Sequence, residues 1–237
     1  MIKAYYDFHI HSCLSPCGDD QMTPNNIVMM SKEVLSLDII ALTDHNSVGN
    51  CKAVMELAKK CGLLVIPGME VCTSEEIHSV CLFEAIEEAE AFGKIIYKNI
   101  PAVKNDPQIF GNQILMNSFD QPIGQEEKLL VNACMLPLYD CCKLVKEHGG
   151  IIFPAHIDRS SYSILSSLGD FPPDFGFRAY EISKNGNSEE LKKKHPAIKN
   201  LRILKNSDAH ILENINEKEN FIMLEELSVK ALFKAIE

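Results

Sequence analysis

The chain is punctuated in one repeated way: short apolar runs that close on histidine or a carboxylate. The first is residues 2–6, a β-strand by pattern, followed by Asp7-Phe8-His9-Ile10-His11. Alternation along a strand sends His9 and His11 to the same side. Similar punctuation recurs at Thr43-Asp44-His45, Gly68-Met69-Glu70, His78, Pro154-Ala155-His156 and Ser207-Asp208-Ala209-His210. Six of the eight histidines belong to this set. A fold that suits the pattern must bring many strand ends to one place.

Helical stretches separate the runs. Thr23-Pro24 reads as an N-cap with proline at the first helical position, opening a helix to about residue 33. Residues 39–42 are a short buried strand. A helix over 48–61 stops at Gly62, and residues 63–67 form the third strand, delivering Glu70. Residues 79–83 are a fourth strand, with His78 just before it, 84–97 an acidic-faced helix, and 126–133 and 137–148 two further helices. Strands follow at 151–153, 178–182, 202–205 and 221–224, with a closing helix at 228–236. Residues 101–125 break this rhythm and suggest an irregular hairpin inserted over the site. Alternating strands and helices argue for a parallel sheet. A closed β/α barrel puts every C-terminal strand end on one rim; a doubly wound open sheet spreads them along a line. One domain over residues 1–237 is expected, since no linker, repeat or low-complexity segment interrupts it.

No apolar run approaches the roughly 18 residues of a membrane span. The first residues lack a basic region, apolar core and cleavage site, so a cytoplasmic protein is expected. The cysteines number nine, an odd count, and are scattered through apolar runs, which suits reduced core thiols. Cys13 and Cys17 lie close enough to the His pair to watch as zinc ligands. The net charge of −10 argues against a broad duplex-binding face, so no duplex DNA binding is expected. A small phosphorylated substrate, a nucleotide or a short oligonucleotide remains compatible, because bound cations can supply local positive charge.

Imidazole nitrogen and carboxylate oxygen suit Zn²⁺, Mn²⁺ or Fe²⁺. The candidates His9, His11, Asp19, His45, Glu70, His78, His156, Asp208 and His210 are too many for one ion. They suit two or three divalent ions sharing a bridging carboxylate, with water as the nucleophile. The chain has no Gly-x-Ser-x-Gly and no P-loop.

Asp7-x-His9-x-His11, Thr43-Asp44-His45, Gly68-x-Glu70, His156 and Ser207-Asp208-x-His210, in this order and spacing, resemble the PHP (polymerase and histidinol phosphatase) domain family. The resemblance covers almost the whole chain and looks closest to the stand-alone bacterial phosphoesterases. It implies a distorted seven-stranded β/α barrel, a TIM-like (β/α)7 fold, with a trinuclear metal site at the C-terminal rim. It implies His9, His11, Glu70 and Asp208 on a first metal, and Glu70 bridging to a second held by His78 and His156. Asp19, His45 and His210 resemble the ligands of a third, although Asp20 could replace Asp19. Glu70 and Asp208 would serve catalysis through the metals. Asp7 and Asp44 are expected to orient imidazoles. Arg159 either clamps a phosphate or makes a surface salt bridge, and Lys184 is a weaker candidate of the same kind. His148 and His195 fall at helix C-termini, where a cation–dipole contact explains them. Met29-Met30 is expected to fill core.

The expected activity is hydrolysis of a phosphomonoester: a nucleotide, the end of a short oligonucleotide, or a small molecule such as histidinol phosphate. Two rivals are a carbon–nitrogen hydrolase of the amidohydrolase kind, for which no lysine stands at a matching strand end, and a regulatory module that keeps metal for stability.

Overall fold

The computed structural model describes residues 1–236. Its strands are β1 (Ile2–Ile10), β2 (Ile39–Leu42), β3 (Leu64–Cys72), β4 (His78–Leu82), β5 (Ile114–Met116), β6 (Pro122–Gln125), β7 (Ile151–Pro154), β8 (Ala179–Ile182), β9 (Arg202–Lys205) and β10 (Phe221–Leu224). Six of them form one curled sheet in the order β10-β1-β2-β3-β4-β7. The β1, β2 and β3 strands run parallel. The β4 strand is antiparallel to both β3 and β7, and β10 is antiparallel to β1.

The parallel β8–β9 pair stands apart as its own sheet. It flanks the open side of the curl. On one side the Ile157 N–H donates to the Glu181 carbonyl at 2.9 Å. On the other, Ala209 just past β9 bridges to Ile10, and the His11 N–H donates to the Ala209 carbonyl at 2.9 Å. The result is a mixed α/β fold built on a six-stranded half-barrel, rather than the seven-stranded alternating barrel expected. Sequence periodicity reports strand and helix but not strand direction, and β4 follows β3 through a short turn that reverses it.

The interior of the curl is filled by Ala4, Tyr6, Phe8, Ala41, Ile66, Val80, Leu82, Phe153, Ala179 and Leu204. Ile10, two residues beyond Phe8, instead joins the outer cluster with Ile40, Leu42 and Val54. Residues two apart on a regular strand share a face. The register of β1 against β2 shifts between Asp7 and Ile10, and such a bulge re-aims the residues after it. That turn-over points His9 and His11 inward at the rim.

Amphipathic helices cover the outside of the sheet. Cys51–Ala58 and Ile86–Asn99 pack on β3, and Leu138–Glu147 on β7. Each fully buried Phe or Ile on these faces contributes about 1.5–3 kcal/mol. Thr23 caps Pro24–Met29, accepting from the Asn26 N–H, and the helix then widens into a π-turn over Met30–Val34. Met29 is exposed rather than core, because the next helix packs on the opposite face. Gly62 follows Cys51–Ala58 with φ +70°, the left-handed geometry expected there.

Residues 126–133 are not helical. They run extended to about residue 129, bridged through Lys128 to Lys104, and then turn. The buried Gln113 side chain takes over their backbone groups. Its amide donates to the Glu126 and Lys128 carbonyls (3.0 and 2.8 Å) and its oxygen accepts from the Leu130 N–H (2.8 Å). The 101–125 stretch holds a helical turn, Pro107–Phe110, and the β5–β6 hairpin. This hairpin lies on the loop after β1: the Ile114 N–H donates to the Cys13 carbonyl, and Asp120 accepts from Thr23. Among the described residues no helix is long and apolar enough to cross a membrane.

Candidate metal centre

Eight of the nine candidate ligands meet at one rim of the half-barrel. His9 and His11 come from the end of β1, His45 follows β2, and Glu70 sits within β3. His156 follows β7, and Asp208 and His210 follow β9. His78 is the exception in direction: it is the first residue of β4, not the last. Because β4 runs antiparallel and pairs His78 with Cys72, that first residue reaches the same rim.

Glu70 is the hub and is fully buried. Its Oε1 lies 3.2 Å from His9 Nε2, 3.0 Å from His78 Nδ1 and 3.3 Å from His156 Nε2. Its Oε2 lies 3.0 Å from His45 Nδ1 and 3.6 Å from His11 Nε2. Asp208 Oδ1 faces the same histidine pair, 3.3 Å from His9 Nε2 and 3.1 Å from His11 Nε2. Three overlapping sets have all their ligand atoms within 4.8 Å of one another: His9, His11, Glu70 and Asp208; His11, His45 and His210; and His45, Glu70 and His78.

The donor atoms outnumber the hydrogen bonds available to them. His156 Nδ1 is buried without a hydrogen-bond partner, and the close approaches of His45 Nδ1 to Glu70 Oε2 and of His11 Nε2 to Asp208 Oδ1 lack the angles of a hydrogen bond. Buried polar groups are nearly always satisfied, so such a cluster needs another explanation. A set of imidazoles and carboxylates converging with lone pairs inward fits divalent cations.

The site is electrostatically tense. Burial opposes charge at Glu70, yet His78 and His9 against it hold its carboxyl well below the usual range. Burial likewise opposes charge at His9, but Glu181, Glu70 and Asp208 outweigh it and hold the imidazole well above the ordinary histidine value. His11 is pushed well below that value by burial and by His210 and His45 beside it. Opposite shifts in adjacent groups are typical of functional sites.

Buried polar residues aim the rings. His11 Nδ1 lies 2.9 Å from Ser15 Oγ, which donates to Asp44 at 2.7 Å. Asp44 also accepts from the Ser12 N–H and hydroxyl, so it orients His11 through a serine. Asp7 touches no imidazole. It accepts from the Ser207, His9 and Asn216 N–H groups and fixes the backbone on both sides of Asp208; burial raises its carboxyl to about 6. His156 and Asp208 themselves have φ +30° and +52°. Such strain in residues with side chains gathers at functional sites.

Other expectations sort differently. The Asp19 carboxylate is exposed and accepts from the Gln21 N–H, outside the three ligand sets; its own N–H donates to the His210 carbonyl at 2.9 Å. Asp20 turns outward to Asn112. Arg159 Nη1 lies 2.6 Å from Asp208 Oδ2, its side chain 46% exposed at the mouth. Lys184 is exposed. His148 Nδ1 bonds the Leu144 carbonyl at its helix end, and His195 pairs with Asp170. The cysteines are free thiols, and neither Cys13 nor Cys17 enters a ligand set.

Two residues escaped sequence reading. Glu181, inside the apolar run Ala179-Tyr180-Glu181-Ile182, is buried against His9. A carboxylate inside a strand buried on both faces was the available signal. Tyr162, with φ +53°, leans on His78 at 4.9 Å between ring centroids, and its carbonyl accepts from the His78 N–H. No pattern in the sequence marks it.

No known family's profile matches the chain. The protein MJ1587 of Methanocaldococcus jannaschii is 33% identical over 89 residues, which are 34% of this chain and 52% of that protein. Three solved structures share the fold. A lesion-specific endonuclease Q from Pyrococcus furiosus aligns over 99% of this chain at TM-score 0.70 and 18% identity. A protein assigned as a metal-dependent phosphoesterase from Bifidobacterium adolescentis aligns over 98% of this chain and 96% of its own, at TM-score 0.64 and 14% identity. An amidohydrolase from Chromobacterium violaceum aligns over 95% of this chain and 93% of its own, at TM-score 0.58 and 18% identity. The chain spans 56% of the endonuclease, about half its length. Endonuclease Q has also been seen with a 27-mer duplex carrying an abasic lesion at its active site. That overturns the exclusion of duplex DNA drawn from net charge: net charge averages over a surface, whereas duplex contact depends on local cations. The chain thus shares a mixed α/β fold with hydrolases of phosphoester bonds, a likeness consistent with the PHP-type resemblance, and carries at the rim of its half-barrel a buried cluster able to hold metal ions.

Proposed function

We propose that the chain is a metal-dependent phosphoesterase of the PHP type acting on a phosphomonoester. The observation that carries this is the convergence of His9, His11, His45, His78 and His156 on one buried carboxylate, Glu70. Divalent ions such as Zn²⁺, Mn²⁺ or Fe²⁺, when bound, supply acidity to a water molecule and positive charge toward phosphoryl oxygens.

The chain's own groups divide that work. His9, His11, Glu70 and Asp208 would hold one ion. Glu70 with His78 and His156 would hold a second, and His45 and His210 a third, with Asp19 next to them through its backbone. Glu70 would thus belong to both of the first two sets. Asp208 gives Oδ1 to the histidine pair and keeps Oδ2 for Arg159. Arg159, anchored that way at the mouth, has its remaining N–H groups free for a phosphoryl oxygen. Tyr162 shields His78 from water on one side. The 101–125 segment acts as an insertion in a single domain, packed on the loop that carries Ser12 and Ser15.

The test is hydrolysis of p-nitrophenyl phosphate with added Mn²⁺ or Zn²⁺, comparing the native chain with His9→Ala and Asp208→Ala. Loss of turnover in both variants supports the reading, and equal rates in all three sink it. The amidohydrolase fold neighbour keeps a carbon–nitrogen hydrolase as the second reading; competitive inhibition by inorganic phosphate separates the two.

A further inference from the structure

Glu181 is a buried carboxylate at the rim that the metal reading does not use, and unlike Asp7 and Asp44 it touches the ring of a proposed ligand directly. It is 1% exposed, flanked in β8 by Tyr180 and Ile182, which are fully buried. Its two oxygens have four short contacts. Oε1 and Oε2 lie 3.1 and 3.0 Å from His9 Nδ1. Oε1 also accepts from the His156 N–H at 3.0 Å, and Oε2 from Asn206 Nδ2 at 2.7 Å. Asn206 Oδ1 in turn accepts from the Phe8 N–H at 3.0 Å.

These contacts join β1, the turn after β7, β8 and the end of β9, where the half-barrel has no continuous ladder. They also set the chemistry of His9. With Nδ1 engaged by Glu181, Nε2 is the nitrogen turned toward Glu70, Asp208 and His11. His11 is aimed in the same sense, but through a neutral serine. A carboxylate on the far nitrogen makes the near nitrogen a better ligand. The same carboxylate holds the backbone of His156 in its left-handed conformation.

We propose that Glu181 is the positioning residue of the His9 cation site: it fixes the ring and raises its affinity for a divalent metal without touching the metal. The inference rests on the metal reading above, not on turnover. Loss of an outer partner of this kind typically weakens metal binding about 10- to 100-fold.

The test is titration of the full chain with Mn²⁺ and Zn²⁺ after chelator treatment, for the native protein, Glu181→Ala, Glu181→Gln, His9→Ala and the double variant His9→Ala/Glu181→Ala. Melting of each in chelator reports folding separately. The expected result is roughly 10- to 100-fold weaker binding at one site in Glu181→Ala, with Glu181→Gln in between. In the His9→Ala background the Glu181 change should add less than about threefold, because its effect passes through the ring it no longer has. Native affinity in Glu181→Ala, or penalties that add in full, overturns the proposal. If Glu181→Ala does not fold, Glu181→Gln carries the same two criteria. A native chain that binds neither ion removes the metal reading and this inference together, whereas absence of phosphoester turnover leaves the inference standing.

Discussion

His9 Nε2 and His11 Nε2 lie 3.2 Å apart, both fully buried. Each ring is engaged at its other nitrogen, by Glu181 and by Ser15. At that separation the two nitrogens can share a proton or a cation, and both fit the ligand set of one ion. Adding Mn²⁺ or Zn²⁺ to chelator-treated protein should therefore stabilise it, by about 2.7 kcal/mol at a concentration one hundred times the dissociation constant. For a chain of this length that is a rise in melting temperature of roughly 5–11 °C, read by calorimetry.

Glu70 lies against five imidazoles. Glu70→Ala should destabilise the protein in chelator as well as abolish metal binding, since removing one partner of a buried charged set costs about 3–5 kcal/mol. Denaturant unfolding with chelator present reads the first effect, and metal titration the second.

Arg159 is anchored to Asp208 Oδ2 and half exposed. Arg159→Ala should lower kcat/KM for phosphoesters by roughly 10- to 100-fold, the loss of a charge-assisted hydrogen bond worth about 1.5–3 kcal/mol. Arg159→Lys should recover little, because a single ammonium cannot bond Asp208 and a phosphoryl oxygen in the same fork. Steady-state kinetics on one phosphomonoester suffices.

Gln113 replaces a helix's internal bonds with its own side chain. Gln113→Ala leaves three backbone groups of the 126–130 stretch without partners, each costing about 1–3 kcal/mol when buried. Hydrogen exchange should show that stretch losing protection, while metal affinity at His9 and Asp208 changes little.

Much of this site could be read from the chain. Metal ligands need particular residue types, and strand ends are where apolar runs stop, so His9, His45, Glu70, His156 and Asp208 stand out. What could not be read depends on distant partners. The reversal of β4 leaves no trace in periodicity, so the sequence places His78 just before its strand without showing why that end reaches the rim. Residues 126–133 have apolar spacing compatible with a helix, but Gln113 offers their backbone an alternative. Met29 looks like core until its neighbour's packing face is known. Glu181 lies within an apolar strand, and only the fold shows that its charge meets His9 from 172 positions away.

The central claim is that residues from β1 to the turn after β9 form a single nest for divalent cations. Diffraction from crystals grown with Mn²⁺, collected at its absorption edge, tests it most directly. The account predicts anomalous peaks about 2.0–2.3 Å from the nitrogens of His9 and His11 and the oxygens of Glu70 and Asp208. A map with manganese elsewhere on the molecule and none among these residues would contradict it.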